Sequence, residues 1–198
     1  MKWIVITPPS AVDNEALLIT QLLDGGAFAV HLRKPGMVVD RCARLIESIP
    51  EGYRRHIVLH DNFELCRRYH LQGVHLNSRN PYPPEGHNGT LSCSCHSIDE
   101  VKRRKKDMDY VFLSPIFDSI SKQGYAAAFS DSQLSDAATS GIIDQKVVAL
   151  GGVTPSRIAQ LRAWHFGGAA FLGDIWQYAN TEQWLPHIRN LHLLTVNM

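Results

Sequence analysis

The residues best suited to chemistry lie in short clusters, each at the end of an apolar, β-branched run. Val147-Val148-Ala149-Leu150 leads into Gly151-Gly152 and then Thr154-Pro155: a buried strand, a glycine pair and a helix start. Glycine leaves backbone amides open to approach, and beside a helix N-terminus such amides bind an anion without any cation. Gly167-Gly168-Ala169-Ala170-Phe171-Leu172-Gly173-Asp174 repeats the arrangement, so Gly151, Gly152, Gly173 and Asp174 are candidate phosphate contacts. The plainer reading of these glycines is that they only permit tight turns. Ser119-Ile120-Ser121-Lys122-Gln123-Gly124 sets two hydroxyls and an ammonium on a glycine-containing loop able to wrap a phosphate or pyrophosphate. His31-Leu32-Arg33-Lys34-Pro35-Gly36 puts a planar guanidinium at a strand end, where it suits phosphate oxygens or a surface salt bridge. His60-Asp61-Asn62 offers one carboxylate, a donor that Mg²⁺ accepts together with substrate phosphates, or a cap for the next helix.

Four histidines, His31, His60, His75 and His96, also fall near the ends of four different runs. Strand alternation groups His31 with Arg33, Val58 with His60, His75 with Asn77, Ser92 and Ser94 with His96, and Phe112 with Ser114. Any one such histidine is most simply a satisfied core residue. Four at similar positions predict a common mouth, where imidazole serves acid–base work or hydrogen bonding to a ring nitrogen. The same alternation sets Cys93 and Cys95 on one face and His96 on the other, which argues against a Cys-Cys-His metal site. With Cys42 and Cys66 they are expected to be reduced, structural thiols.

Positioning these clusters requires elements that repeat. Eight strand-like runs occur at 3–8, 28–34, 56–61, 73–77, 90–97, 109–115, 146–152 and 168–174. Amphipathic segments at 14–23, 39–49, 62–69, 97–105, 130–138 and 155–164 read as helices between them. Ser97 followed by Asp99 and Glu100 signals an N-cap with an acidic first turn, and Pro155 suits a first helical position. Eight βα repeats in 198 residues predict an α/β fold, a single (β/α)8 barrel over residues 1–198. Loops at 79–89 and 117–129 both follow strand C-termini, the catalytic side of such a barrel.

The bulk numbers bound the function. An apolar content of 44% with 20% charge supports a full core, and a net charge of +1 gives no field for nucleic acid or anionic membrane. An anion must therefore be caught locally. No stretch reaches membrane-spanning length and the first residues lack a signal pattern, so a cytoplasmic protein is expected. Trp176, Tyr178 and Trp184 either cover the barrel or meet a partner, leaving a homo-oligomer open.

Taken in order, several motifs resemble those of the thiamin phosphate synthase / TenI family, over almost the whole chain. They are His31-Leu32-Arg33-Lys34, His60-Asp61-Asn62, Gly73-Val74-His75-Leu76, Ser94-Cys95-His96-Ser97, Asp109-Tyr110 with Pro115-Ile116-Phe117, Ser119-Ile120-Ser121-Lys122 and Val148-Ala149-Leu150-Gly151-Gly152. On the synthase side the resemblance implies condensation of hydroxymethylpyrimidine pyrophosphate with thiazole phosphate, using Mg²⁺ and expelling pyrophosphate. It implies that Arg33, Ser94 and Lys122 hold the pyrophosphate and that Asp61 holds the metal. Ser119 and Ser121 would lie near the thiazole phosphate, with Gly152 and Gly173 supplying amides. Departures from the synthase pattern are His31, Pro35 with Lys34 displaced by one, Asn62, and Asn80 in place of a second metal-binding aspartate. On the TenI side the resemblance implies a metal-free tautomerisation of a thiazole phosphate with His96 as proton shuttle. A non-catalytic relative that keeps only the phosphate turns is a third reading. Retention of Arg33, Asp61 and Lys122 favours the synthase.

Overall fold

The computed structural model describes residues 1–118 and 127–196. Eight parallel strands close in sequence order: β1 (Lys2–Ile6), β2 (Ala29–Leu32), β3 (Ile57–Leu59), β4 (Gly73–Leu76), β5 (Thr90–Cys95), β6 (Tyr110–Leu113), β7 (Val147–Ala149) and β8 (Gly168–Phe171). All but β5, which is only partly buried, are buried along nearly their whole length, as parallel strands between a packed interior and a helical shell are. Seven of the expected runs contain one of these strands, shortened at the ends where the chain turns out of the ladder; β1 overlaps the first run but begins one residue before it, at Lys2.

Alternation divides the core in two. Ile4, Ile6, Ala29, Val58, Tyr110, Phe112, Val148 and Ala170 fill the barrel interior. Trp3, Val5, Val30, Leu32, Val111 and Leu113, one position away, face the helices. The register sets Ile6 beside His31, His31 beside Val58, and His75 beside Ser92, so polar rings share the interior with apolar side chains.

The shell consists of α1 (Glu15–Asp24), α2 (Val39–Glu47), α3 (Glu51–Arg54), α4 (Glu64–Arg68), α5 (Ile98–Arg104), α6 (Asp131–Thr139), α7 (Ile158–Ala163), α8 (Gly173–Trp176) and α9 (Trp184–Val196). The Ser97 hydroxyl accepts from Glu100 N–H and caps α5. Ser130 and Gln133 form a reciprocal capping box on α6. Pro155 opens a 3-10 turn ahead of α7, so the helix expected from 155 begins only at Ile158. Helices α3, α8 and α9 lie outside the expected helical segments. Trp176 and Trp184 are settled on the barrel itself: Trp176 donates to the Ile6 carbonyl and Trp184 to Gln21, both at 2.8 Å. No helix among the described residues is long and apolar enough to cross a membrane.

Candidate functional site

The strand C-termini open into a cavity of about 680 Å³, within the usual range for a small-molecule site. Arg33 enters it from beyond β2, His60 from beyond β3, and Ser94 and His96 from the end of β5. Gly151 and Gly152 after β7, and Gly173 and Asp174 after β8, complete the opposite wall. The Arg33 guanidinium makes no hydrogen bond or ion pair among the described residues. Seven expected site residues, Arg33, Ser94, His96, Gly151, Gly152, Gly173 and Asp174, therefore meet in one place, with His60 and His75 of the four mouth histidines. Ser119, Ser121 and Lys122 lie outside the described residues.

The glycine turn is locally enforced. Gly151 and Gly152 have φ of +94° and +62°, conformations that side chains rarely adopt. A Cβ on Gly152 would sit 2.2 Å from the Asp118 carbonyl oxygen, so this turn packs directly on the loop after β6. Asp174 turns its carboxylate to the His187 ring, Oδ2 to Nε2 at 2.7 Å, and is only 6% exposed. Its side chain is thus committed to His187.

His31 does not reach the cavity. It is fully buried, with Nδ1 2.9 Å from His60 Nε2 and Nε2 2.6 Å from the Tyr110 hydroxyl. The expectation that it touches substrate fails because strand register sets it one layer deeper, beneath the floor. That floor is formed by His60 and His75, stacked 4.2 Å apart, with Phe112 4.9 Å from the His75 ring. His75 is held at both nitrogens, by Ser92 Oγ at 2.9 Å and Ser94 Oγ at 3.0 Å. Burial pushes His75 down to about 3. Burial, then the neighbouring His75, holds His31 well below the usual imidazole range. His60 is lowered likewise by burial, then by His75, His31, Arg33 and Arg79. The floor is uncharged at neutral pH. His96 stands apart and exposed. Its Nδ1 donates to the Ser114 carbonyl at 3.1 Å.

Lys34 follows the prediction of its register. It points out of the barrel, is 2% exposed, and satisfies Glu15 at 2.6 Å and the Pro8 and Ser10 carbonyls at 2.8 and 2.7 Å. It is a structural ammonium and is not available to a ligand.

Asp61 is engaged by residues that the motifs do not single out. Arg79 Nε donates to its Oδ1 at 3.0 Å and the Arg79 Nη2 to its Oδ2 at 3.2 Å, while Asn80 Nδ2 donates to Oδ1 at 3.3 Å. Asn77 builds the turn that presents Arg79: its Oδ1 accepts from Arg79 N–H and Asn80 N–H, and its Nδ2 donates to the His60 carbonyl at 2.6 Å. Arg79 continues the alternation of His75 and Asn77 into the loop at 79–89. That continuation is the signal that would have found it.

With both oxygens of Asp61 covered and an amide at Asn80, these residues do not fit the oxygen shell of Mg²⁺. Among the described residues, His31, His60 and His75 are the group close enough to share an ion. They are nitrogen donors, and the His60 and His75 rings lie 16° from parallel, so their in-plane lone pairs do not converge.

A closed eight-stranded barrel with its polar cavity at the strand C-termini defines the class: a (β/α)8-barrel protein that carries its site on the βα loops. The family model described as thiamine monophosphate synthase matches residues 3–175, and the chain belongs to that family. A solved thiamine phosphate pyrophosphorylase from Bacteroides thetaiotaomicron is similar at 40% identity and a TM-score of 0.89, with 98% of each chain covered. A thiamine-phosphate synthase from Latilactobacillus sakei is 26% identical over 191 residues, covering 89% of this chain and 84% of that one. A thiamine phosphate pyrophosphorylase from Pyrococcus furiosus shares the fold at 19% identity and a TM-score of 0.77, with 98% and 94% covered.

Proposed function

We propose that this chain is a thiamin-biosynthesis transferase that condenses hydroxymethylpyrimidine pyrophosphate with thiazole phosphate, releasing pyrophosphate, and that it works in the cytoplasm. The observation that carries this reading is a single cavity with two anion grips on opposite walls: Arg33 and Ser94 on one, and the Gly151-Gly152 and Gly173 turns on the other. Its volume of about 680 Å³ accommodates two small substrates side by side. Family membership and the 40% identical pyrophosphorylase support the same activity.

In this reaction the bond between the pyrimidine methylene carbon and the bridging pyrophosphate oxygen breaks, and the electron pair leaves with pyrophosphate. The thiazole nitrogen then bonds to that carbon. The Arg33 guanidinium and the Ser94 hydroxyl stabilise the departing anion. His60, His75 and Phe112 form the floor beneath the cationic pyrimidine, and the lowered pKa values of both histidines keep competing positive charge away from it. Amides of the glycine turns orient the thiazole phosphate, with Ser119, Ser121 and Lys122 as further contacts. Mg²⁺ is the cofactor the family resemblance implies; because Asp61 and Asn80 do not fit it, no step is assigned to it. Purified protein supplied with both substrates is expected to form thiamin phosphate and pyrophosphate in equal amounts. Absence of product at stoichiometric enzyme would reject the proposal.

A further inference from the structure

We propose that the pyrophosphate end of the cavity is charged by a built-in guanidinium, Arg79, which occupies the position where a divalent cation would otherwise sit against Asp61. The inference rests on the transferase reading for the identity of the anion, and on geometry for the rest. Asp61 is 15% exposed and covered by a bidentate guanidinium, whereas Arg79 is 48% exposed and lines the cavity. Only Nε and Nη2 of Arg79 are spent on Asp61, so the other Nη, a two-proton donor, remains for an anion. The turn that carries Arg79 is also fixed: Asn77 Oδ1 accepts from the Arg79 backbone N–H at 3.0 Å, and Asn80 Nδ2 donates to Asp61 Oδ1 beside the guanidinium. A cation fixed in this way resembles a bound metal in function, because its charge is placed before the ligand arrives.

Arg33 lines the same wall with no partner for its guanidinium among the described residues. Two guanidiniums against one carboxylate leave a net positive charge facing a ligand that carries several negative ones. Each guanidinium can present two parallel N–H groups to phosphate oxygens, a match that an ammonium lacks. The ligand class is thus an organic or inorganic pyrophosphate bound without a metal.

The test is calorimetric titration of inorganic pyrophosphate into the full chain, once in EDTA and once in Mg²⁺. Wild type is expected to bind in EDTA with an affinity within about threefold of that in Mg²⁺. Arg79→Gln is expected to weaken binding in EDTA by about tenfold or more, the worth of a lost charged hydrogen bond. Because that change uncovers Asp61, Mg²⁺ is expected to restore part of the loss in Arg79→Gln while doing little for wild type, an outcome that a merely structural arginine would not produce. Binding by wild type only in Mg²⁺, or unchanged binding by Arg79→Gln in EDTA, would overturn the inference. Turnover separates the two readings. Pyrophosphate binding in EDTA without formation of thiamin phosphate leaves Arg79 in its role and sinks the transferase. Strictly Mg²⁺-dependent synthesis that Arg79→Gln does not alter does the reverse.

Discussion

Lys34 and Arg33 are neighbours in the chain with opposite duties, because adjacent residues on a strand face opposite sides. Arg33 enters the cavity, whereas Lys34 is enclosed between the end of β2 and α1, paired with Glu15 at 2.6 Å. A buried ion pair is costly to break on one side only, since the survivor keeps its charge without a counterion. Lys34→Met is expected to lower unfolding free energy by about 3 kcal/mol in urea denaturation, with pyrophosphate affinity unchanged. Adding Glu15→Gln should recover part of that stability by removing the orphaned carboxylate. A large loss of pyrophosphate affinity in Lys34→Met would instead make Lys34 a ligand. Register alone predicted the outward face; the partner that makes burial tolerable, Glu15, was not legible, because it comes from a helix on the preceding βα unit.

At the scale of elements, the turn from β7 into the 3-10 segment is the most constrained piece of the site. Its two glycines adopt positive φ, and the turn abuts the loop after β6 with no room for a side chain at Gly152. Gly152→Ala is expected to cost about 2 kcal/mol or more, from backbone strain and displacement of the Asp118 carbonyl, and to weaken binding of a thiazole phosphate. Gly52 in α3 provides the control, because a Cβ there would meet nothing within 4 Å. Gly52→Ala should be neutral or slightly stabilising by the ordinary helix preference for alanine, so thermal melts of the two variants should move in opposite directions or by very different amounts. This turn was legible from Val147 to Pro155 because its signals are consecutive: an apolar run, two glycines and a proline. Helix α9 was not, since its burial of Trp184, Ile188 and Leu191 depends on what the closed barrel offers it.

For the whole molecule, the barrel encloses a histidine cluster that must stay neutral. His31, His60 and His75 are all lowered from the ordinary 6.5, so the unfolded chain binds more protons than the folded one below that pH. Their contribution is complete above about pH 6.5 and is lost as pH falls toward the folded values. Denaturation at pH 7 and pH 5.5 should differ by about 2–4 kcal/mol, with up to three protons taken up on unfolding. The double variant His31→Gln with His60→Asn should reduce that uptake to about one proton; an unchanged pH slope would remove the cluster from the account. By itself the sequence determined the order of eight βα units, the strand faces and the glycine turns, because periodicity and turn chemistry are written in neighbouring residues. Tertiary structure alone decided who meets whom. Asp61 finds Arg79 at a separation of 18 residues, His31 finds His60 at 29 and Tyr110 at 79. Barrel closure and strand register create those pairings, and they make Asp61 the partner of a guanidinium, His31 a floor support and Lys34 a buried strut.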